Sequence, residues 1–110
     1  PNIAILSPAD CTETVKAVEA SLNYKQSVYI RLTGSQNNPI VYKNDYKYEI
    51  GKFIELKSGS DITIFSTGTM VYESLEAEKI LQAKGISCTV IDVHTIKPIY
   101  RLTDTSFIFP

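Results

Sequence analysis

Asp10 and Glu13 stand three residues apart, and two carboxyl groups at that spacing could serve as a general acid and base. The same D-x-x-E pattern is a capping box, in which each carboxylate accepts from a backbone N–H that the first helical turn leaves unpaired. The capping box accounts for both residues without catalysis. His94 is the single histidine, so no histidine pair exists for a metal, and a Cys–His nucleophile would need Cys11 or Cys88 carried to it by the fold. A structural place at a strand end is the expectation for His94. Thr67-Gly68-Thr69 precedes a helical stretch and could hold an anion on free N–H groups, but a single-glycine turn is a weak signal. Arg31, between Ile30 and Leu32, reads as an inward charge needing a carboxylate partner, an ion-paired support rather than a substrate contact. Tyr42, Tyr46 and Tyr48 could stack bases, yet without a basic groove they are expected to pin a linker against its neighbours. These patterns assign no catalytic, cofactor-binding or metal-ligating residue.

The chain has 110 residues, 11 basic and 12 acidic, for a formal charge of -1, and 44% of it is apolar. That is the composition of an ordinary globular protein. Lysines scattered from Lys16 to Lys97 provide no basic patch, which argues against nucleic acid or an anionic membrane as partner. No apolar run reaches the roughly 20 residues of a membrane helix. Cys11 and Cys88 lack neighbours at zinc-ligand spacing and are expected to be buried and reduced, as in a cytoplasmic protein. The opening Pro1-Asn2-Ile3, without an initiator Met or a signal peptide, reads as an excised piece.

The elements that must position these residues follow from periodicity. Ile3 to Leu6 is a short apolar run of the kind buried in a parallel sheet. Cys11, Val15, Val18 and Leu22 form one helical stripe, whose last three aliphatic side chains would contribute about 5 to 8 kcal/mol if buried. Ser27 to Leu32 is a strand, closing one βαβ unit. Residues 33–49 are rich in turn formers and tyrosine and read as an ordered linker. Glu49 to Lys57 alternates as a half-exposed strand, and Ile62 to Phe65 is a buried-type strand. A helix from about Met70 ends near Lys84, before Gly85, and Cys88 to Val93 returns as a strand. The fold class is α/β: two incomplete βαβ units with mainly parallel strands, each leaving one sheet face to be covered from elsewhere.

Six short stretches, in order, resemble the transketolase family: Ser7-Pro8-Ala9-Asp10-x-x-Glu13, Val28-Tyr29-Ile30-Arg31-Leu32, Gly51-Lys52, Asp61-Ile62-Thr63-Ile64, Thr67-Gly68-Thr69-Met70-Val71 and His94-Thr95-Ile96-Lys97-Pro98. The likeness is greatest to the separately encoded C-terminal section of such enzymes. It implies that residues 1–34 end a pyrimidine domain, 35–49 link, 50–99 open the C-terminal domain, and 100–110 are an atypical or non-native tail. It also implies thiamine diphosphate and magnesium in the complete enzyme, which moves a two-carbon ketol unit between sugar phosphates. The glutamate that serves the cofactor's pyrimidine lies upstream of the Ser-Pro-Ala-Asp stretch in relatives, and the Gly-Asp-Gly metal motif is absent. The fragment is therefore expected to bind no cofactor, to be inactive alone, and to partner the N-terminal section or remainder of the enzyme, as a homodimer.

Two departures from the family stand out. Where relatives follow the Ile-Arg-Leu strand with a second arginine for the sugar phosphate, this chain has Thr33 and Gly34, then Ser35 and Gln36. The phosphate is then held by groups outside the fragment, or the acceptor is unphosphorylated or unusual. Tyr100 to Pro110 does not continue the family pattern and suggests truncation, an altered frame or vector sequence. The alternatives are part of a 2-oxo acid dehydrogenase β subunit, with the same domain order, and a non-catalytic assembly module.

Overall fold

The computed structural model describes residues 2–34 and 37–99. The atypical tail, Tyr100 to Pro110, and the linker positions Ser35 and Gln36 lie outside the described residues. β1 (Ile3–Leu6), α1 (Cys11–Leu22) and β2 (Ser27–Ile30) form the first unit. β3 (Ile54–Lys57), β4 (Ile62–Ser66), α2 (Met70–Ala83) and β5 (Cys88–Asp92) form the second, and β6 (Thr95–Lys97) follows.

β1 and β2 pair in parallel, from Ile3 opposite Ser27 to Leu6 opposite Ile30. The other edge of β1 takes β6 antiparallel, so the first sheet runs β2-β1-β6 and borrows a strand from the far end of the chain. The second sheet runs β3-β5-β4, with β4 parallel and β3 antiparallel to β5. The parallel pairs are those joined by helices, since only a crossover returns the chain in the same direction. Every residue of β5 is buried. Only Val93 and His94 separate its end from β6, so the chain steps there from the centre of one sheet to the edge of the other.

Several expectations hold. Ile54 and Leu56 of β3 turn inward while Glu55 and Lys57 are exposed. α2 stops at Lys84, and Gly85 adopts φ +81° beyond it, the left-handed cap that glycine adopts without strain.

Others fail for stated reasons. The stripe on α1 points away from the chain: Cys11, Val15, Val18 and Leu22 are all exposed, so their burial contributes nothing here. The inward face carries Glu13 and Ala17 instead, both 0% exposed. Small Ala17 lets the helix approach the sheet, and Glu13 fills a polar position described below. Cys11 is accordingly exposed, against the expectation of two buried thiols; Cys88 is buried and both are free. β4 is an edge strand, and Ile62 and Phe65, expected to be buried, are exposed. Arg31 lies just past β2, exposed, its backbone N–H on the Leu6 carbonyl at 2.8 Å. No ion pair to it exists among the described residues.

Candidate functional site

The polar residues of interest converge where α1, the linker and β5 meet. Asp10 caps α1 in extended backbone, its Oδ1 accepting from the Glu13 N–H at 2.8 Å. Its Oδ2 accepts from the N–H groups of Val41, at 2.6 Å, and Tyr42, at 2.9 Å. One carboxylate thus starts a helix and ties down the linker 31 and 32 residues away. The capping box is half as expected. The Glu13 side chain turns back to the Ala9 N–H, at 2.7 Å, rather than to that of Asp10, and then continues inward.

What it meets is Asp92, the last residue of β5. Both carboxyl groups are fully buried and close enough to interact directly. Neither Glu13 Oε1 nor Asp92 Oδ1 has an N–H or hydroxyl donor, and a bond between two carboxyl groups needs a proton on one of them. Asp92 Oδ2 accepts from the Tyr42 hydroxyl at 2.6 Å. Burial first, and the neighbouring Asp92 charge second, push the Glu13 carboxyl up to about 9. Burial raises Asp92 to about 6 against the lowering effect of its hydrogen bonds.

Tyr42 stacks on Tyr46 with ring centroids 4.0 Å apart, and Lys16, paired with Asp45 at 2.6 Å, lies 5.0 Å above the Tyr46 ring. Tyr48 packs 4.2 Å from the ring of His94. All three tyrosine hydroxyls are shifted upward, chiefly by burial and then by the nearby carboxyl groups. The tyrosines do pin the linker, and an apolar cluster of Ala9, Tyr42 and Val71 joins both units through it.

His94 is completely buried, with Nδ1 3.0 Å from the Thr95 hydroxyl. Its carbonyl accepts from the Ser7 N–H at 2.8 Å. Burial lowers its imidazole to about 4, so the ring is neutral. Cys11 and Cys88 make no hydrogen bond to it among the described residues.

Three N–H groups of the Thr67-Gly68-Thr69 turn and the helix start it leads into are taken by backbone carbonyls. Gly68, at φ +58°, donates to the Ser7 carbonyl at 3.2 Å. The N–H groups of Met70 and Val71 return to the carbonyls of Thr67 and Gly68. A Cβ on Gly68 would lie 3.0 Å from Ser7 Oγ, so the glycine lets the two units touch.

Thr33 lines a cavity of about 210 Å³ with Asp10, Cys11, Thr14 and Asn38, at the carboxyl ends of β1 and β2. In open α/β sheets ligands favour that edge. Among the described residues no cationic side chain lines it.

Local spacing makes a pair of Asp10 and Glu13 and passes over Asp92. The available signal is an aspartate closing Thr89-Val90-Ile91-Asp92-Val93, a strand otherwise suited to burial on both faces.

The family model for the transketolase C-terminal domain matches residues 51–105. This chain belongs to the transketolase family. A Methanocaldococcus jannaschii protein provisionally named a transketolase C-terminal section is 38% identical over 101 residues, 90% of this chain and 32% of that protein. One of the subunits of the apulose-4-phosphate transketolase of Phocaeicola vulgatus is 37% identical over 100 residues, again 90% of this chain and 32% of the relative. Among solved structures, a split-gene transketolase, an inactive β4 tetramer, superposes with a TM-score of 0.85 and 39% identity over 90% of this chain and 33% of that one. The chain therefore spans about a third of the length of these transketolase relatives. Among the described residues no group of three or more His, Cys, Asp or Glu could hold a metal ion. No helix among the described residues is long and apolar enough to cross a membrane.

Proposed function

We propose that this chain is the structural junction of a thiamine-diphosphate-dependent, cytoplasmic transketolase-like enzyme, a transferase of two-carbon ketol units. Residues 1–34 end its pyrimidine domain, 35–49 link, and 50–99 begin its C-terminal domain. The observation that carries this reading is the buried network joining Asp10, Glu13, Tyr42 and Asp92. Glu13 and Asp92 are sealed from solvent, and both oxygens of Asp10 accept from backbone N–H groups, so the three carboxyl groups are spent on binding α1, the linker and β5 together. A catalytic acid or base needs access to a substrate proton, which Glu13 and Asp92 lack. We assign no catalytic, cofactor-binding or metal-ligating residue to the chain. Its partners are the remaining section of the enzyme and a second copy in a homodimer. The inactive state of the split-gene relative made of β chains alone supports the dependence on another section.

The cavity beside Thr33 bears on the acceptor. A phosphate dianion is ordinarily gripped by paired charged hydrogen bonds, and this cavity presents Asp10 and two hydroxyls instead. That favours an acceptor whose end group is not phosphate.

The test is reconstitution. The chain alone is expected to show no calorimetric binding of thiamine diphosphate and no ketol transfer. Joined to a section that supplies the cofactor site, it is expected to restore transfer, faster with unphosphorylated acceptors. Turnover by the isolated chain would overturn the junction reading, and equal turnover of ordinary pentose phosphates would overturn the acceptor reading. Transfer only to a lipoyl domain would point to the 2-oxo acid dehydrogenase alternative, and a cofactor-free stable oligomer without activity to the assembly module.

A further inference from the structure

Two carboxyl groups with no cation are an uncommon way to join two parts of a protein. Glu13 lies on α1 and Asp92 at the end of β5, and neither has an ion pair among the described residues. Lys16, one turn along α1, is turned to Asp45 and the Tyr46 ring. Asp10, which also faces the pair, is held by three backbone N–H donors. Tyr42 donates to Asp92, Tyr46 and Tyr48 line the linker side, and His94, two residues beyond Asp92, is buried. Among the described residues, every titratable group around the pair is thus neutral or negative.

We propose that Glu13 and Asp92 hold one proton between them, and that docking of the second unit onto α1 is linked to uptake of that proton. Two buried carboxylates in contact cannot both stay ionised, because each loses its hydration and neither gains a counter-charge. With one proton, the orphaned Glu13 Oε1 and Asp92 Oδ1 become donor and acceptor of a single charge-assisted bond. Without it, the same contact repels, and the units are held by the backbone bonds of Ser7 with His94 and Gly68, by the β1–β6 pairing and by the linker bonds to Asp10 and Tyr42. The device is a latch that alkaline conditions open. It is independent of the proposed function, since it concerns only how the two units are held.

Infrared difference spectroscopy of the full chain tests this directly. The wild type is expected to show the carbonyl band of a protonated carboxylic acid at neutral pH, fading as pH is raised through about 9. Glu13→Gln is expected to abolish it at neutral pH, whereas Asp92→Asn keeps Glu13 buried and is expected to retain the band but to lower the pH at which it fades, because the neighbouring charge is gone. Absence of the band from the wild type, its survival in Glu13→Gln, or an unshifted fading pH in Asp92→Asn overturns the proposal. If a variant fails to fold, wild-type stability decides. Its folding constant is expected to fall about tenfold per pH unit above 6.5, where His94 and Asp92 no longer contribute, up to about 9. A flat profile there overturns it equally.

Discussion

A buried histidine and a buried carboxyl pair pull stability in opposite directions with pH. Folded His94 is lowered by burial from 6.5 to about 4. Between those values the unfolded chain binds a proton that the folded chain refuses, so this contribution is complete above 6.5 and is lost as pH falls through about 4. Glu13 has the reverse sign: raised from 4.5 to about 9, it contributes most below 4.5 and is lost as pH rises. The stability optimum should therefore lie on the acid side of neutrality. Because His94 is the only histidine, its ring protons give one resolved pair of NMR signals, expected to titrate near 4. Titration near the ordinary histidine value would mean the ring is open to water and the junction loose. At this scale the sequence was half legible. The capping role of Asp10 follows from spacing, but the grip of its second oxygen on Val41 and Tyr42, and the approach of Asp92 to Glu13, span 31 to 79 positions of chain, a distance no local pattern encodes.

Elements were more legible than their orientation. Both crossover helices and the strands β1, β2, β4 and β5 lie where apolar runs, turn residues and caps place them, but the strand expected over Glu49 to Lys57 begins only at Ile54, and β6 was not anticipated. The face each helix buries does not follow, since an amphipathic pattern identifies an apolar stripe without saying which surface of a larger protein it meets. In α1 the glutamate and alanine face inward and the valines outward. Turns behave similarly. Gly59, in the turn between β3 and β4, reads as an ordinary loop glycine, yet a Cβ there would meet the Cys88 backbone carbon at 2.4 Å. Its own N–H and carbonyl are both engaged by the Thr89 hydroxyl, at 2.9 and 2.7 Å. Backbone cannot retreat as a flexible side chain can, so Gly59→Ala is expected to destabilise by about 1–3 kcal/mol, the usual range for overpacking. Gly34, where a Cβ would meet nothing within 4 Å, is the control. Gly34→Ala is expected to shift the urea midpoint by no more than about 0.5 kcal/mol in equivalent stability. Equal effects at both sites would show that the β3–β4 turn does not pack on β5.

Across the whole molecule, interior and surface are divided unusually. The interior at the junction is polar, while Val15, Val18 and Leu22 are exposed at 57, 46 and 80%, and Met70 and Ile80 at 58 and 60%. Exposed single aliphatics are common, but a stripe along one helix face marks a surface that another part of a protein covers. A chain spanning about a third of its relatives carries such surfaces for the remaining section proposed above to cover. Two substitutions on the α1 stripe separate an outward face from a buried one. If the stripe faces water in the isolated chain, Val18→Lys with Leu22→Glu removes apolar surface at no cost in packing. Binding of a hydrophobic dye should then fall, and the urea midpoint should stay within about 0.5 kcal/mol of the wild type. If instead these side chains were the core that their periodicity first suggests, the same pair would bury two unpaired charges and cost several kcal/mol, unfolding the chain outright. In the reconstituted enzyme the expectation inverts, because the stripe is then the contact: the double variant should weaken assembly with the remaining section while leaving the isolated chain as stable as before. Loss of chain stability and retention of assembly would together place α1 the other way round.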